Sequence, residues 1–472
     1  MLEGSFSLAA PSDVSSSDVA RAVVAEAISS TLSQYFLAQC ALDINIQFDK
    51  LKNPADKNEI RTAWESLKMP GNPFKQDPDG YQKFVQLLKG EEVDFNDKKL
   101  HLSKNIWDDL DIVQKTPAGS LGNTFWTMYN FAKFIQEKID ERILLPNIVF
   151  PFSIPDDVKS VLTSSYPKIK PSCIQTKPCG TPNIGVICLN GEEFKGEKSM
   201  LSSGESPISD AEALKNYFKE ITGTEIIEGF LFNNNFDLFS ELFGSSEMKD
   251  NKFTLTLSAC ALPYLSDKNK RGDLLKIISS CVSQLVGNLE EYAALLWDTL
   301  VSNPYLKQIK IPENPDSNWI QSTIATNGKF RNIIQEEIKN FSQDHGITSL
   351  VTCGQFGSVL YTPDGLKTEF TSNSTLEILS TKGAGDNFFA GYFIGESLGL
   401  EKLKCMQLGT MFAEACITNG QATLNEEIFS KIFGEIPIPR TDLSTFILDK
   451  IEACFPTITK SKDLQKQDGL QR

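Results

Sequence analysis

Histidine is nearly missing from this chain: among 472 residues only His101 and His345 occur, each in a polar neighbourhood. That argues against a histidine-based zinc site and against a Ser-His-Asp triad. No CxxC pair breaks the scatter of the ten cysteines, and Cys40, Cys188, Cys353 and Cys416 lie inside apolar stretches, so they read as reduced core thiols. No apolar run approaches the ~20 residues of a membrane span, and the first residues lack a basic segment followed by an apolar one. A cytoplasmic location without membrane attachment is the resulting expectation. An excess of basic residues is also absent, since 61 acidic residues outnumber 46 basic ones for a net charge of −15. Such a field repels nucleic acid, although local amides and a few cations still allow a small anion such as ATP. Neither GxxxxGK[ST] nor a GxGxxG after the first strand is present, which removes a P-loop and a dinucleotide site.

What remains is ordinary globular material, 40% apolar and 23% charged, long enough for one large domain with an appendage or for two to three domains. Residues 1–34 read as an extension, with helical spacing from Asp18 to Gln34 behind a Ser-rich cap. The run from Tyr35 to Ile44 is apolar except for one acid and predicts a buried strand carrying Asp43 at its carboxyl end. A polar, turn-rich connection follows to about Asp111. Ala118 to Asn123 is a loop opening a helix over Thr124 to Ile135. Strands are expected at Asn147 to Phe152, Ile184 to Leu189 and Glu197 to Leu201.

Beyond these, strand and helix alternate. The expected strands are Ile226 to Phe232, Phe253 to Leu257, Ser283 to Val286, Ile347 to Cys353 and Val359 to Tyr361. The expected helices lie near Asp237 to Phe243 and Asp273 to Cys281, over Leu289 to Leu300 and Trp319 to Asp344, and from Asp386 and Leu403. This βαβ rhythm predicts an α/β fold with a doubly wound, mostly parallel sheet. A polar tail from 459 to 472 is expected to be disordered.

One short segment carries chemistry. Gly383-Ala384-Gly385-Asp386 follows an extended segment, Leu376 to Leu379, and precedes a helical stretch, so small residues expose amides where the helix dipole favours an anion. An acid at that edge would repel phosphate unless it served to deprotonate a hydroxyl during phosphoryl transfer. An Asp-capped helix after a glycine turn is the plain alternative.

The run Thr381 to Asp386 with Ala390-Gly391 resembles the C-terminal signature of the ribokinase-like (pfkB) carbohydrate and nucleoside kinases. Other pieces follow in that family's order: Ala41-Leu42-Asp43-Ile44, Ala118-Gly119-Ser120-Leu121-Gly122-Asn123, Gly287-Asn288-Leu289-Glu290-Glu291 and Thr352-Cys353-Gly354-Gln355-Phe356-Gly357. The resemblance implies a kinase domain over 35–458, with a small β lid from parts of 44–117 and 182–204.

It also implies roles. Asp386 is the base and Gly383, Ala384 and Gly385 form the anion hole. Asp43, Gly119 and Asn123 bind substrate, while Asn288, Glu291, Thr352, Gly354 and Gly357 attend the nucleotide and Mg²⁺-phosphate, with no metal ligated directly by protein. ATP and Mg²⁺ are the implied cofactors, the partners are a nucleoside or sugar and ATP, and the assembly is a monomer or homodimer. Phe253 to Ala259 and Val286 to Ala294 look most like adenosine kinases, and Leu121 to Thr124 with Pro182 to Gly185 like inosine-guanosine kinases. Phosphorylation of a purine nucleoside 5′-hydroxyl is therefore expected. A ribose or fructose kinase, or a weakened nucleoside-binding relative, is the alternative. Ser380 stands where that family has an Asp, which argues against K⁺ activation, and Ala118 replaces a hinge glycine.

Overall fold

The computed structural model describes residues 35–37, 41–69, 75–118, 120–138, 146–150, 154, 156–166, 172–173, 184–194, 201–202, 208, 210–220, 225–244, 252–257, 267–306, 309, 311–312, 317–372, 375–434 and 443–455. The helix expected at Asp18 to Gln34 and the tail from 459 lie outside them. No helix among the described residues is long and apolar enough to cross a membrane.

Strands run in chain order as β1 (Tyr35–Leu37), β2 (Ala41–Gln47), β3 (Lys75–Gln76), β4 (Val93–Phe95), β5 (Lys98–Leu100), β6 (Val113–Ala118), β7 (Asn147–Phe150) and β8 (Ser172–Cys173). They continue as β9 (Ile184–Asn190), β10 (Leu201–Ser202), β11 (Glu225–Ile227), β12 (Phe253–Thr256), β13 (Val282–Asn288), β14 (Thr348–Thr352), β15 (Ser358–Tyr361) and β16 (Lys367–Phe370). Nine of them form the central sheet in the order β16-β15-β14-β13-β12-β11-β1-β7-β8. From β14 to β8 every pairing is parallel, and only β15 and β16 run antiparallel at one edge.

Successive side chains on these strands face opposite layers, which makes both faces apolar. Ile226, Val286 and Leu350 pack with Phe125, Tyr392, Phe412 and Phe429 from the helices Ser120–Lys138, Ala384–Ser397, Lys402–Asn419 and Glu426–Phe433. Ile227, Leu255, Leu285 and Val351 pack on the other side with Phe239, Leu274, Leu300 and Phe341. Helices thus cover both faces, and the doubly wound α/β arrangement expected from the βαβ rhythm is present.

A second sheet has the order β3-β10-β9-β2-β6 and its own apolar cluster, in which Ile44, Ile46, Ile187 and Leu189 meet Trp64 and Phe84 from the helices Pro54–Ser66 and Pro78–Leu88. Its first strand begins at Ala41.

Several sequence expectations change. The run Tyr35 to Ile44 is two strands in two sheets, because β1 pairs with β7 and β11 whereas β2 pairs with β6 and β9. Apolar continuity alone does not distinguish one buried strand from two strands buried in different layers. The strand expected to run to Phe232 stops at Ile227, and a helix occupies Gly229–Asn234. A Cβ on Gly229 would stand 2.3 Å from the Thr256 and Leu257 carbonyl oxygens, so the helix start packs directly on the backbone after β12. The long helix over Trp319 to Asp344 is two helices, Ser317–Thr326 and Gly328–His345, since Asn327 caps the second by accepting from the Phe330 amide at 3.0 Å. The segment expected to be extended, Leu376 to Leu379, joins neither sheet, and Leu379 N–H donates to Ile417 C=O at 3.1 Å.

Candidate active site

In parallel α/β sheets, ligands gather outside the carboxyl ends of the strands. There, β13 ends at Asn288 and β14 at Thr352, which are register partners. The helix Ala384–Ser397 opens from a turn at Thr381 to Gly383, with Gly383 as its N-cap at φ +77°. Two constraints select glycine at that position. The left-handed backbone disfavours any Cβ, and a Cβ there would sit 2.5 Å from the Ala422 carbonyl oxygen. Asp386 is the third helical residue rather than the cap, so the Asp-capped alternative is not what forms.

Not every amide of the expected anion hole, Gly383 to Gly385, is left open. Ala384 N–H turns back to Thr381 C=O at 3.3 Å, and Asn387 N–H donates to Gly383 C=O at 2.9 Å. Gly385 lies in the first turn, where amides have no intrahelical acceptor, and nothing stands within 4 Å of where its Cβ would be. An anion therefore has open approach over Gly385, with the positive end of the helix dipole behind it.

Side chains from distant segments fix this turn. Asn387, fully buried, donates to Gly383 C=O at 2.8 Å and Ala422 C=O at 2.7 Å, and its Oδ1 accepts from Thr127 at 2.6 Å. Thr127 Oγ1 in turn accepts from the Leu424 amide at 3.2 Å. Cys416 donates its S–H to the Lys382 carbonyl at 3.2 Å. Burial, with the nearby Asp386 charge adding to it, pushes that thiol up to about 12, so it stays protonated and able to donate.

Asn123 Nδ2 donates to Asp386 Oδ2 at 2.9 Å, Thr124 donates to the Asp386 carbonyl at 3.0 Å, and Thr423 Oγ1 donates to Asn123 Oδ1 at 3.3 Å. The residue expected to meet substrate is thus bonded to the expected base. From the other direction Lys382 carries its ammonium to the second sheet, 3.4 Å from Asn45 Oδ1 and 3.5 Å from Cys188 Sγ, two cross-strand register partners.

The other expected residues are placed as follows. Asp43 sits in β2, in register with Thr116 of β6 and Val186 of β9. Gly119 lies outside the described residues. Asn288 and Glu291 form a capping box, in which Asn288 Oδ1 accepts from Glu291 N–H at 2.8 Å and Glu291 Oε2 from Asn288 N–H at 2.9 Å. Gly354 and Gly357 bound the short helical turn Gly354–Phe356 between β14 and β15. Sequence reasoning missed Thr127, Asn387, Lys382 and Thr423. Asn387 and Lys382 adjoin the motif and were within reach, but Thr127 is an ordinary helix residue and Thr423 sits in a short polar loop with no pattern of its own.

No protein-family model and no curated protein matches this sequence. Solved structures do. A probable sugar kinase from Rhizobium etli superposes with a TM-score of 0.54 at 16% identity, covering 86% of this chain and 100% of that one. The chain has the ribokinase-like fold. Other structures with the ribokinase-like fold include an adenosine kinase from Sinorhizobium meliloti, at TM-score 0.53 and 15% identity over 85% of this chain and 99% of that one. An adenosine kinase from Schistosoma mansoni in complex with adenosine and AMP aligns at TM-score 0.52 and 13% identity, over 84% and 98%.

Proposed function

We propose that this chain is an ATP-dependent kinase that phosphorylates the 5′-hydroxyl of a purine nucleoside. One observation carries the reading: Asp386 stands in the first turn of a helix whose glycine-bounded start is open to an anion, and an amide from a distant helix holds its carboxylate. The adenosine and sugar kinases that share the fold support a phosphotransferase.

In this mechanism the Gly385 amide and the helix dipole stabilise charge on the transferring phosphoryl group, and the braced turn needs no reorganisation to do so. Asp386 takes the proton of the acceptor hydroxyl as that oxygen bonds to phosphorus and the bond to the leaving phosphate breaks. Asp43 belongs to the second sheet, whose closure excludes water from the acceptor. ATP is the phosphoryl donor. Among the described residues no three His, Cys, Asp or Glu side chains group to hold a metal, and the Asn288–Glu291 pair is engaged in its capping box. The residues do not fit a metal caged by protein side chains; in this reading Mg²⁺ comes with the ATP phosphates.

An ADP-release assay with Mg²⁺ across adenosine, inosine, guanosine, ribose and fructose tests the proposal. Turnover of a purine nucleoside is expected, with a loss of at least about 10³-fold in Asp386→Asn. Consumption of a free sugar alone moves the substrate class to a sugar kinase. Nucleoside binding without turnover by the wild type leaves a weakened relative, and full activity in Asp386→Asn removes the base assignment.

A further inference from the structure

The second sheet turns one face to its own core and the other to the glycine turn. Along β2, Ile44 and Ile46 are buried in the apolar cluster of that sheet, so Asn45 between them lies on the opposite face. Lys382, the residue before Gly383, reaches that face and holds its ammonium 3.4 Å from Asn45 Oδ1. A lysine ammonium donates and has nothing to accept with, so the Asn45 atom that meets it is the carbonyl oxygen and not the amide nitrogen. From the neighbouring strand β9, Asn190 Nδ2 donates to the same oxygen at 3.3 Å. With two donors on Oδ1, the half-buried Asn45 presents its NH₂ on the other side, and that group meets no acceptor among the described residues.

We propose that Asn45 selects the acceptor by donating from its NH₂ to the 6-carbonyl oxygen of a purine, so that the acceptor is a 6-oxopurine nucleoside, of the inosine and guanosine type, rather than adenosine. This rests on the reading of the chain as a nucleoside kinase. Asn45 follows Asp43 by two residues, roughly 7 Å along the strand. That step is comparable with the reach from a ribose at Asp43 to the far edge of its base. A 6-amino group would set N–H against N–H at Asn45, and Lys382 beside it adds only donors, whereas a carbonyl oxygen accepts from either. The Asn45 amide does not reverse to suit adenosine, because its NH₂ would then face the ammonium that its oxygen now accepts from. Donors left without an acceptor are what make such a site discriminate between two bases of the same shape.

Initial rates and titration calorimetry with inosine, adenosine and purine riboside, which carries only hydrogen at position 6, test this in the wild type and in Asn45→Leu. In the wild type, kcat/KM for inosine should exceed that for adenosine and for purine riboside by at least about 10-fold. Asn45→Leu should bring the three to within about threefold of one another, with the ATP KM unchanged. The wild-type comparison needs no variant, so it decides even if Asn45→Leu does not fold. Adenosine turned over as well as inosine keeps the kinase reading and overturns the role of Asn45. A fall in Asn45→Leu that is equal for all three nucleosides, or confined to the ATP KM, overturns it as well. Calorimetry separates the two readings where there is no turnover. Inosine bound about 10-fold more tightly than adenosine, with the difference lost in Asn45→Leu, keeps the assignment of Asn45 while the kinase reading fails. Equal binding of the two, or binding of neither, overturns it.

Discussion

The two ends of the central strands bury polar groups to opposite effect. At the carboxyl ends, Asn387, Thr127 and Asn123 are buried but each donates or accepts at hydrogen-bonding distance, mostly to backbone around the glycine turn or to Asp386. At the opposite end, Glu225 begins β11 and is 3% exposed. Burial pushes its carboxyl up to about 8, with the Tyr217 hydroxyl opposing the shift. Equal burial thus holds a functional group in place where partners are supplied, and changes a protonation state where desolvation wins.

Removing partners from the first end should produce the largest effect on stability. Asn387→Ala takes the Asn387 side chain from the Ala422 carbonyl and the Thr127 hydroxyl, while the Gly383 carbonyl keeps the backbone amide of residue 387 and Thr127 keeps the Leu424 amide; a buried orphan costs ~1–3 kcal/mol. A loss of about 2 kcal/mol in urea unfolding is expected, together with weaker nucleotide binding. A variant as stable as wild type would mean that the turn holds without its brace.

The opposite end should respond to pH instead. Glu225 has a folded value of about 8, above the usual 4.5, so the folded protein keeps a proton that the unfolded chain releases between them. Its contribution to stability is complete below about 4.5 and is lost as pH rises toward about 8, with a slope of up to ~1.4 kcal/mol per pH unit. Glu225→Gln should flatten the dependence of melting temperature on pH across that window and gain stability at its upper end. A curve parallel to the wild type would place the pH dependence elsewhere.

Lys382 offers the mildest test. Its ammonium joins the well-braced end to the second sheet through two long contacts, 3.4 and 3.5 Å. Lys382→Met should leave the melting temperature nearly unchanged and raise acceptor KM ~3- to 5-fold, about 1 kcal/mol, with the ATP KM unaffected. A fall in kcat with unchanged KM would assign the ammonium to the phosphate rather than to the second sheet.

The alternation of apolar strands with helical stretches, and the Gly383 to Asp386 run, were readable because their causes are local: periodicity, small residues at a helix start and one acid beside them. The boundaries that failed also have physical reasons. Tyr35 to Ile44 is uniformly apolar although it changes sheets, and the break at Asn327 is a cap inside an otherwise periodic helix. The Asn-x-x-Glu spacing at Asn288 and Glu291 fits a capping box as well as a ligand contact, and the geometry shows the box.

By itself, then, the sequence determined the layered α/β architecture, the helix that starts at the glycine turn and the presence of Asp386 in its first turn, since each depends on neighbours along the chain. Only the tertiary structure decided that Asn123 faces Asp386, that Thr423 donates to the oxygen of that amide, that Asn387 ties Gly383 to Ala422, and that Lys382 reaches the second sheet. Those contacts join segments far apart in the chain, and hydrogen-bond direction is fixed by which partner stands opposite, something that residue spacing does not record.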